Sequence, residues 1–312
     1  MNKPQLKQLL PVGFYDLLFD EAEKNHQNIS LALQTFFDAK YRLIKTPLVE
    51  FEEGVSCSDV RNSFRTTDVI SGKNLILRND ITPQISRLLA TRLQSETLPI
   101  KLCYVGDVLY AKSEGLYSNR QQTQVGLEII GCDAEKSDFE IVEVTLAALQ
   151  KLQVKNLLIE FSLPDFLDIF LDEIAVENKS ELREAIMQKN TSLVKDMAGK
   201  YAEIINEIAL SNYNLEELIE KISKQIKSEK ILNELKKAQK ISQFFAAKKL
   251  LDIEVCFDLF GDHKSAYYHG ISFDIFCRNF SYPIARGGRY KINNIDAIGA
   301  AIYMNYILLV LS

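Results

Sequence analysis

Between Gln121 and Ile130 the chain alternates, with Val125, Leu127 and Ile129 on one parity and Gln124, Gly126 and Glu128 on the other. A period of two predicts a strand whose apolar set faces a core and whose polar set faces an open surface. Gly126 then leaves a gap between Gln124 and Glu128 in which a small ligand has room to lie on the backbone. Upstream, the run LILRNDITPQISRLLATRL from Leu75 predicts a strand followed by a helix. Arg78 and Asp80 share a face at the strand end, Thr82 offers a capping hydroxyl, and Pro83 suits the first helical position. Ile85, Leu88 and Leu89 give that helix its buried side. The predicted surface therefore carries two carboxylates (Asp80, Glu128), an amide (Gln124) and a hydroxyl (Thr82). That set suits a ligand with an ammonium group and a hydrogen-bonding side chain; an ordinary solvated sheet face is the competing account.

The same patterning predicts the other elements. A helix runs from about Tyr15 to Lys40, a strand from Tyr41 to Pro47, and a hairpin joins Phe64–Ile70 to Leu75–Arg78 around Ser71-Gly72-Lys73-Asn74. A helix over Ser137–Leu152 and a short strand over Leu157–Phe161 follow. From Leu163 to about Leu251 every pattern is helical, with breaks at Asn178, Asn190, Gly199 and Ser211–Asn214. The expected division is a core of residues 1–162 and 252–312 with a helical insertion at 163–251. Strands return at Ile253–Leu259 and at Ala266–Phe276, where Tyr268, Gly270, Ser272 and Asp274 share one side. The pair Gly287-Gly288 fits a tight turn or a close backbone approach to a ligand. Ala297–Leu311 is apolar and predicts a buried terminal helix.

Composition narrows the classes. The chain has 312 residues, 47% hydrophobic and 25% charged, with a formal net charge of −5. That charge argues against a general nucleic-acid-binding surface. Five cysteines are scattered without a CxxC pair, so neither a metal site nor a disulfide framework is expected, and buried thiols in a reducing, cytoplasmic setting are the simplest account. No signal peptide or span long enough for a bilayer is evident. No phosphate-loop motif occurs either, and no cofactor is implied.

The order of these pieces resembles the catalytic core of class II aminoacyl-tRNA synthetases of the histidyl type. The likeness rests on LRNDITPQISR (77–87), YVGDVLY (104–110), RQQTQVGLEIIG (120–131), YYHGISFDIF (267–276), ARGGRY (285–290) and IGAA (298–301). It implies an α/β (α+β) fold, a largely antiparallel sheet of six or seven strands flanked by helices. It also implies a histidine-like ligand site at Asp80, Thr82, Gln124, Glu128, Tyr267 and Tyr268. Thr46-Pro47-Leu48-Val49-Glu50 is similar to the first motif of that class, so Pro47 is expected at a homodimer interface. The departures bear on activity. The α-phosphate arginine of the second motif falls on Tyr110, the acidic residue beyond it on Lys112, and the third-motif arginine on Tyr306. The histidyl-specific arginine falls at His263 or Lys264. Fixed cations of this kind stabilise charge in phosphoryl chemistry, and tyrosine does not replace them. The anticodon-binding domain expected after the core is not found before Ser312.

With those departures the chain resembles the family of ATP phosphoribosyltransferase regulatory subunits, which implies a non-catalytic role in histidine biosynthesis. The implied partner is the short-form catalytic subunit, in a hetero-oligomer containing a homodimer of this chain. Free histidine is the implied feedback ligand. The alternatives are a divergent histidyl-tRNA synthetase-like amino-acid ligase and a scaffold whose ligand site is defunct.

Overall fold

The computed structural model describes residues 10–54, 60–112, 119–132, 134–210, 215–248, 253–261 and 268–312. They fall into two compact units. The first holds Met1–Cys132, Glu143–Val154 and Ala300–Ser312, and the second Asp133–Val142 and Lys155–Gly299.

In chain order the first unit begins with α1 (Phe19–Asp38), β1 (Arg42–Ile44), β2 (Val49–Phe51), β3 (Phe64–Thr67), β4 (Asn74–Leu77) and α2 (Thr82–Thr91). Two long strands follow, β5 (Ile100–Leu109) and β6 (Gln121–Ile130). They pair antiparallel over their whole length, from Ile100 opposite Ile130 to Leu109 opposite Gln121. β1 lies parallel to β5, and β2, β4 and β3 make a separate antiparallel sheet in that order. The β3–β4 turn is held by Asp68, whose carboxylate accepts from the Ile70 and Ser71 amides, as its loop composition predicts. α1 begins at Phe19, four residues after the expected start at Tyr15. Phe19 takes φ 47° at the first helical position and Leu18 supplies no side-chain cap.

The chain continues through α3 (Ala134–Lys151) and β7 (Leu157–Ser162), then α4 (Phe166–Glu173), α5 (Lys179–Met187), α6 (Thr191–Ala198), α7 (Ala202–Leu210), α8 (Leu215–Gln225) and α9 (Glu229–Lys248). Two of the sequence breaks are helix caps: Asn178 accepts from the Glu181 amide and Asn190 from the Leu193 amide, both at 3.2 Å. The helices from α4 on share an apolar core that includes Phe166, Phe170, Leu182, Ile205, Ile222 and Ile231, joined by Leu259 and Phe260. Burial of such side chains contributes on the order of 1.5–3 kcal/mol each.

The last elements are β8 (Ile253–Asp258), β9 (Ser272–Cys277), β10 (Ala285–Ile292), β11 (Ile295–Tyr303) and α10 (Met304–Val310). β7 runs parallel to β8 and antiparallel to β9, and β9 antiparallel to β10. The strand order is β1-β5-β6-β11 in the first unit and β11-β10-β9-β7-β8 in the second, eight strands against the six or seven expected. Antiparallel pairs predominate among these, as the class implies.

Three expectations are corrected here. The terminal helix is a strand followed by a short helix, because Asn293 and Asn294 both adopt positive φ (48° and 67°) and turn the chain straight from β10 into β11. Two residues of that conformation make the tight turn that suits twisted strands. The glycine pair makes no turn: both glycines lie within β10 and accommodate aromatic rings. A Cβ on Gly287 would sit 2.8 Å from Phe273 Cε1, and one on Gly288 2.6 Å from Tyr268 Cδ1. The strand expected over Ala266–Phe276 begins only at Ser272, after Gly270 at φ 80°.

Within the second unit a buried arginine ties β10 to α3. Arg289 Nε donates to Asp138 Oδ1 at 3.0 Å and Nη2 to Ser137 Oγ at 2.9 Å. Burial pushes the Asp138 carboxyl up to about 6 although Arg289 pulls the other way. The unfolded chain releases this proton near 3.8, so between those values the folded state binds more protons. Stability from this group therefore falls as pH rises from about 4 to about 6 and is level above. The change amounts to about 3 kcal/mol. Asp138→Asn should remove that slope, which urea midpoints for both proteins between pH 4 and 7 will show.

Candidate functional site

The residues expected at the ligand site divide as follows. Asp80, Thr82, Gln124 and Glu128 come together in the first unit. Thr82 Oγ1 donates to Glu128 Oε1 at 3.0 Å, and Gln124 bonds to Asp80. Asp80 Oδ1 also accepts from the Ile81 amide at 2.8 Å. Tyr268 belongs to the second unit, where its ring lies over Gly288. Tyr267 lies outside the described residues, as do His263 and Lys264, the positions of the histidyl-specific arginine.

Sequence pattern misjudged the exposure of this face. Gln124 and Glu128 are 2% and 1% exposed, so both faces of β6 are covered and the open surface is not there. The missing residue is Tyr104. It stands opposite Gly126 in the β5–β6 register, and a Cβ on Gly126 would come within 2.6 Å of its Cε2. The gap over Gly126 is thus filled by the protein's own ring. A glycine opposite a tyrosine in a long antiparallel pair is the signal that would have found it, and it requires the register to be known.

Thr82 also acts differently from expectation. It begins α2 without capping it, and Ile81 before it has no side-chain cap. The hydroxyl bonds Glu128 instead, so α2 and β6 are joined through the site itself.

Burial dominates the electrostatics. It raises the Asp80 carboxyl above its ordinary range, against the Ile81 amide, Gln124, the Thr82 amide and Arg78, which lower it. It also raises the Tyr104 hydroxyl well above its usual value, helped by Glu128, Asp80 and Tyr303. Two acidic side chains and a phenol therefore share one water-poor patch, which suits a cationic group arriving from outside.

Two described arginines near this face, Arg78 and Arg120, are engaged by the protein itself. Arg78 is 8% exposed and spends its guanidinium on protein acceptors: Asp107 O at 2.7 Å, Thr46 Oγ1 at 2.8 Å and Gln84 Oε1 at 3.1 Å. Arg120 donates to Tyr110 O at 3.0 Å and its guanidinium stands 4.7 Å from the Phe64 ring centre and 5.3 Å from that of Phe14. Tyr306 packs against Tyr303, ring centres 5.9 Å apart. Among the described residues no group of three or more His, Cys, Asp and Glu side chains is placed to hold a metal. The described cysteines are free; burial raises Cys103 to about 11 and Cys256 to about 12, which leaves both thiols protonated and inert. Cys57 lies outside the described residues.

The chain matches the family model described as histidyl-tRNA synthetase over residues 13–307. It is 30% identical over 316 residues to the ATP phosphoribosyltransferase regulatory subunit of Paramagnetospirillum magneticum, covering 99% of this chain and 83% of that one. Among solved structures it is similar to an ATP phosphoribosyltransferase regulatory subunit/histidyl-tRNA synthetase from Bacillus halodurans. There the TM-score is 0.86 at 22% identity, covering 100% of this chain and 85% of the other. It also resembles a chain of the ATP phosphoribosyl transferase complex from Thermotoga maritima, with a TM-score of 0.68 at 17% identity over 90% of this chain and 97% of that one.

Gly126→Ala should destabilise the protein by about 1–3 kcal/mol, the usual cost of overpacking. In Tyr104→Leu the same substitution should cost less. A urea-unfolding double-mutant cycle measures the difference, and additive effects would show that the ring does not occupy the gap.

Proposed function

The chain belongs to the histidyl-tRNA synthetase family, and on that premise we propose that it is a non-catalytic regulatory subunit of ATP phosphoribosyltransferase. It acts in the first step of histidine biosynthesis, in the cytoplasm, with the short-form catalytic subunit. The near-full-length identity to a regulatory subunit supports the class. The observation that carries the non-catalytic role is the pair of tyrosines at the two expected arginine positions. Tyr110 and Tyr306 stand where the family's resemblance places arginines, and Arg78 and Arg120 are committed to protein carbonyls. In this reading residues 163–251 form an inserted helical subdomain on the synthetase-like core.

Histidine is the proposed feedback ligand, with its ammonium group at Glu128 and Asp80. Charge-assisted hydrogen bonds to such groups contribute about 1.5–3 kcal/mol each. A homodimer through the Pro47 segment is supported by exposed apolar side chains around it, Leu43, Leu48, Val49 and Phe51. A two-fold pairing would bury that patch against its own copy.

Co-expression with a short-form catalytic subunit should give a co-eluting complex with phosphoribosyltransferase activity that the catalytic subunit alone lacks. The purified chain should show no histidine-dependent ATP–pyrophosphate exchange; exchange above background would make it a ligase. Sedimentation at micromolar concentration should give a dimer, and a charged residue at Leu48 should dissociate it. Glu128→Gln, which keeps the shape of this buried side chain, should weaken histidine binding by about tenfold in calorimetry.

A further inference from the structure

The turn between β3 and β4 puts two apolar side chains into solvent. Val69 and Ile70 are 98% and 97% exposed, more than any other large apolar side chain among the described residues. Tips of such turns ordinarily carry Gly, Asn, Asp or Ser. The backbone beneath them is nonetheless fixed. The Asp68 carboxylate accepts from the Ile70 and Ser71 amides and from the Ser71 hydroxyl. The Asp68 amide donates to Lys73 O and the Gly72 amide to Asp68 O, both at 2.8 Å. Gly72 supplies the φ of 71° that closes the turn. Both side chains are β-branched, with few rotamers to lose on contact. A preordered apolar knob of this kind binds at a small entropic cost.

The sheet behind the tip is also incompletely covered. The register sets Val49 and Phe51 of β2 opposite Leu77 and Leu75 of β4, so these four share one side. The other side carries Ile76, which is buried, and Glu50, which is bound to Arg87 of α2. β4 is therefore apolar on both sides. A sheet with one face on a core and one in water alternates apolar with polar, whereas runs that are apolar on both parities belong to sheets covered twice. Toward β3 the N-terminal segment covers the outer side, with the Phe14 and Phe64 ring centres 6.1 Å apart. At β2 the outer side stays open: Val49 and Phe51 are each more than a third exposed, and Leu75 and Leu77 are half-buried.

We propose that the tip of one copy docks on this apolar side of a second copy, with Val69 and Ile70 against Val49, Phe51, Leu75 and Leu77. The contact is part of the homodimer proposed above and rests on it. Area favours a second copy. A stable interface takes about 800 Å² from each partner. Leu43, Leu48, Val49 and Phe51 are each between 38% and 51% exposed, and the two tip residues roughly double the apolar surface those four present. A two-fold contact is reciprocal, so one docking mode uses both tips and both sheet sides. Charge permits the approach, because Lys73 and Arg65 beside the tip are paired with Glu53 and Glu52 of their own chain.

Sedimentation of the full-length chain over a range of concentrations is the test. Val69→Ser with Ile70→Ser should weaken the dimer at least about a hundredfold, since two apolar side chains on each copy lose their burial. Its circular dichroism should match that of the native chain, because both replaced side chains lie outside their own fold. A cross-link covers the case in which the serine variant misfolds: a mixture of Ile70→Cys and Phe51→Cys chains should give a disulfide-linked pair under mild oxidation, in excess of either chain alone. An unchanged dimer in the folded serine variant, or no excess of the cross-linked pair, would overturn the contact. Dissociation by a charge at Leu48 would in that case leave the homodimer through Pro47 standing. A native chain that sediments as a monomer would overturn both. A serine variant that keeps its dimer but no longer co-elutes with the catalytic subunit would overturn the second copy as occupant and assign the tip to that subunit.

Discussion

One buried guanidinium organises the first unit. Arg78 follows β4 directly, and it reaches the carbonyl of Asp107 in β5, the hydroxyl and carbonyl of Thr46 and the carbonyl of Pro47, and the amide of Gln84 in α2. A side chain with five donors in a planar fork can hold that many acceptors at once, and lysine cannot. Gly106 is glycine because the fork occupies the place of its Cβ. The irregular segment between β1 and β2 therefore has fixed partners for its carbonyls, as buried backbone groups require. Glu50 in β2 is held in turn by Arg87 of α2.

That arrangement sets the site. α2 is anchored on one side by Gln84 and Arg87, and its first residue, Thr82, reaches Glu128 on β6. Asp80, between Arg78 and α2, is thereby brought to Gln124. The segment proposed for dimer contact and the segment proposed for ligand contact are thus two ends of one hydrogen-bonded connection within the unit.

The departures from synthetase chemistry are structural as well as compositional. Tyr306 pairs with Tyr303, and Arg120 lies against two phenylalanine rings, Phe14 and Phe64, that also touch each other. A guanidinium stacked on aromatic faces is partly desolvated and oriented by them, and Arg120 further holds Tyr110 and Val12 through their carbonyls. Arg120 thereby holds the segment at Val12–Phe14 to the start of β6.

Local pattern determined much of this protein: the alternation in β6, the β3–β4 hairpin, and the run of helices from α4 to α9 with asparagines at two of its caps. Each follows from periodicity or from side-chain chemistry within a few residues, and that information is carried by the chain itself. The meeting of Asp80 and Thr82 with Gln124 and Glu128 is a tertiary contact that the family resemblance implied. Tertiary structure decided the rest. Whether the polar side of β6 was open depended on Tyr104, twenty-two residues before Gly126 and adjacent to it only through the strand register. Whether Ile295–Tyr303 was helix or strand depended on burial of both faces, since an apolar run carries no period to distinguish them. Whether Gly287 and Gly288 made a turn depended on the Phe273 and Tyr268 rings that press on them.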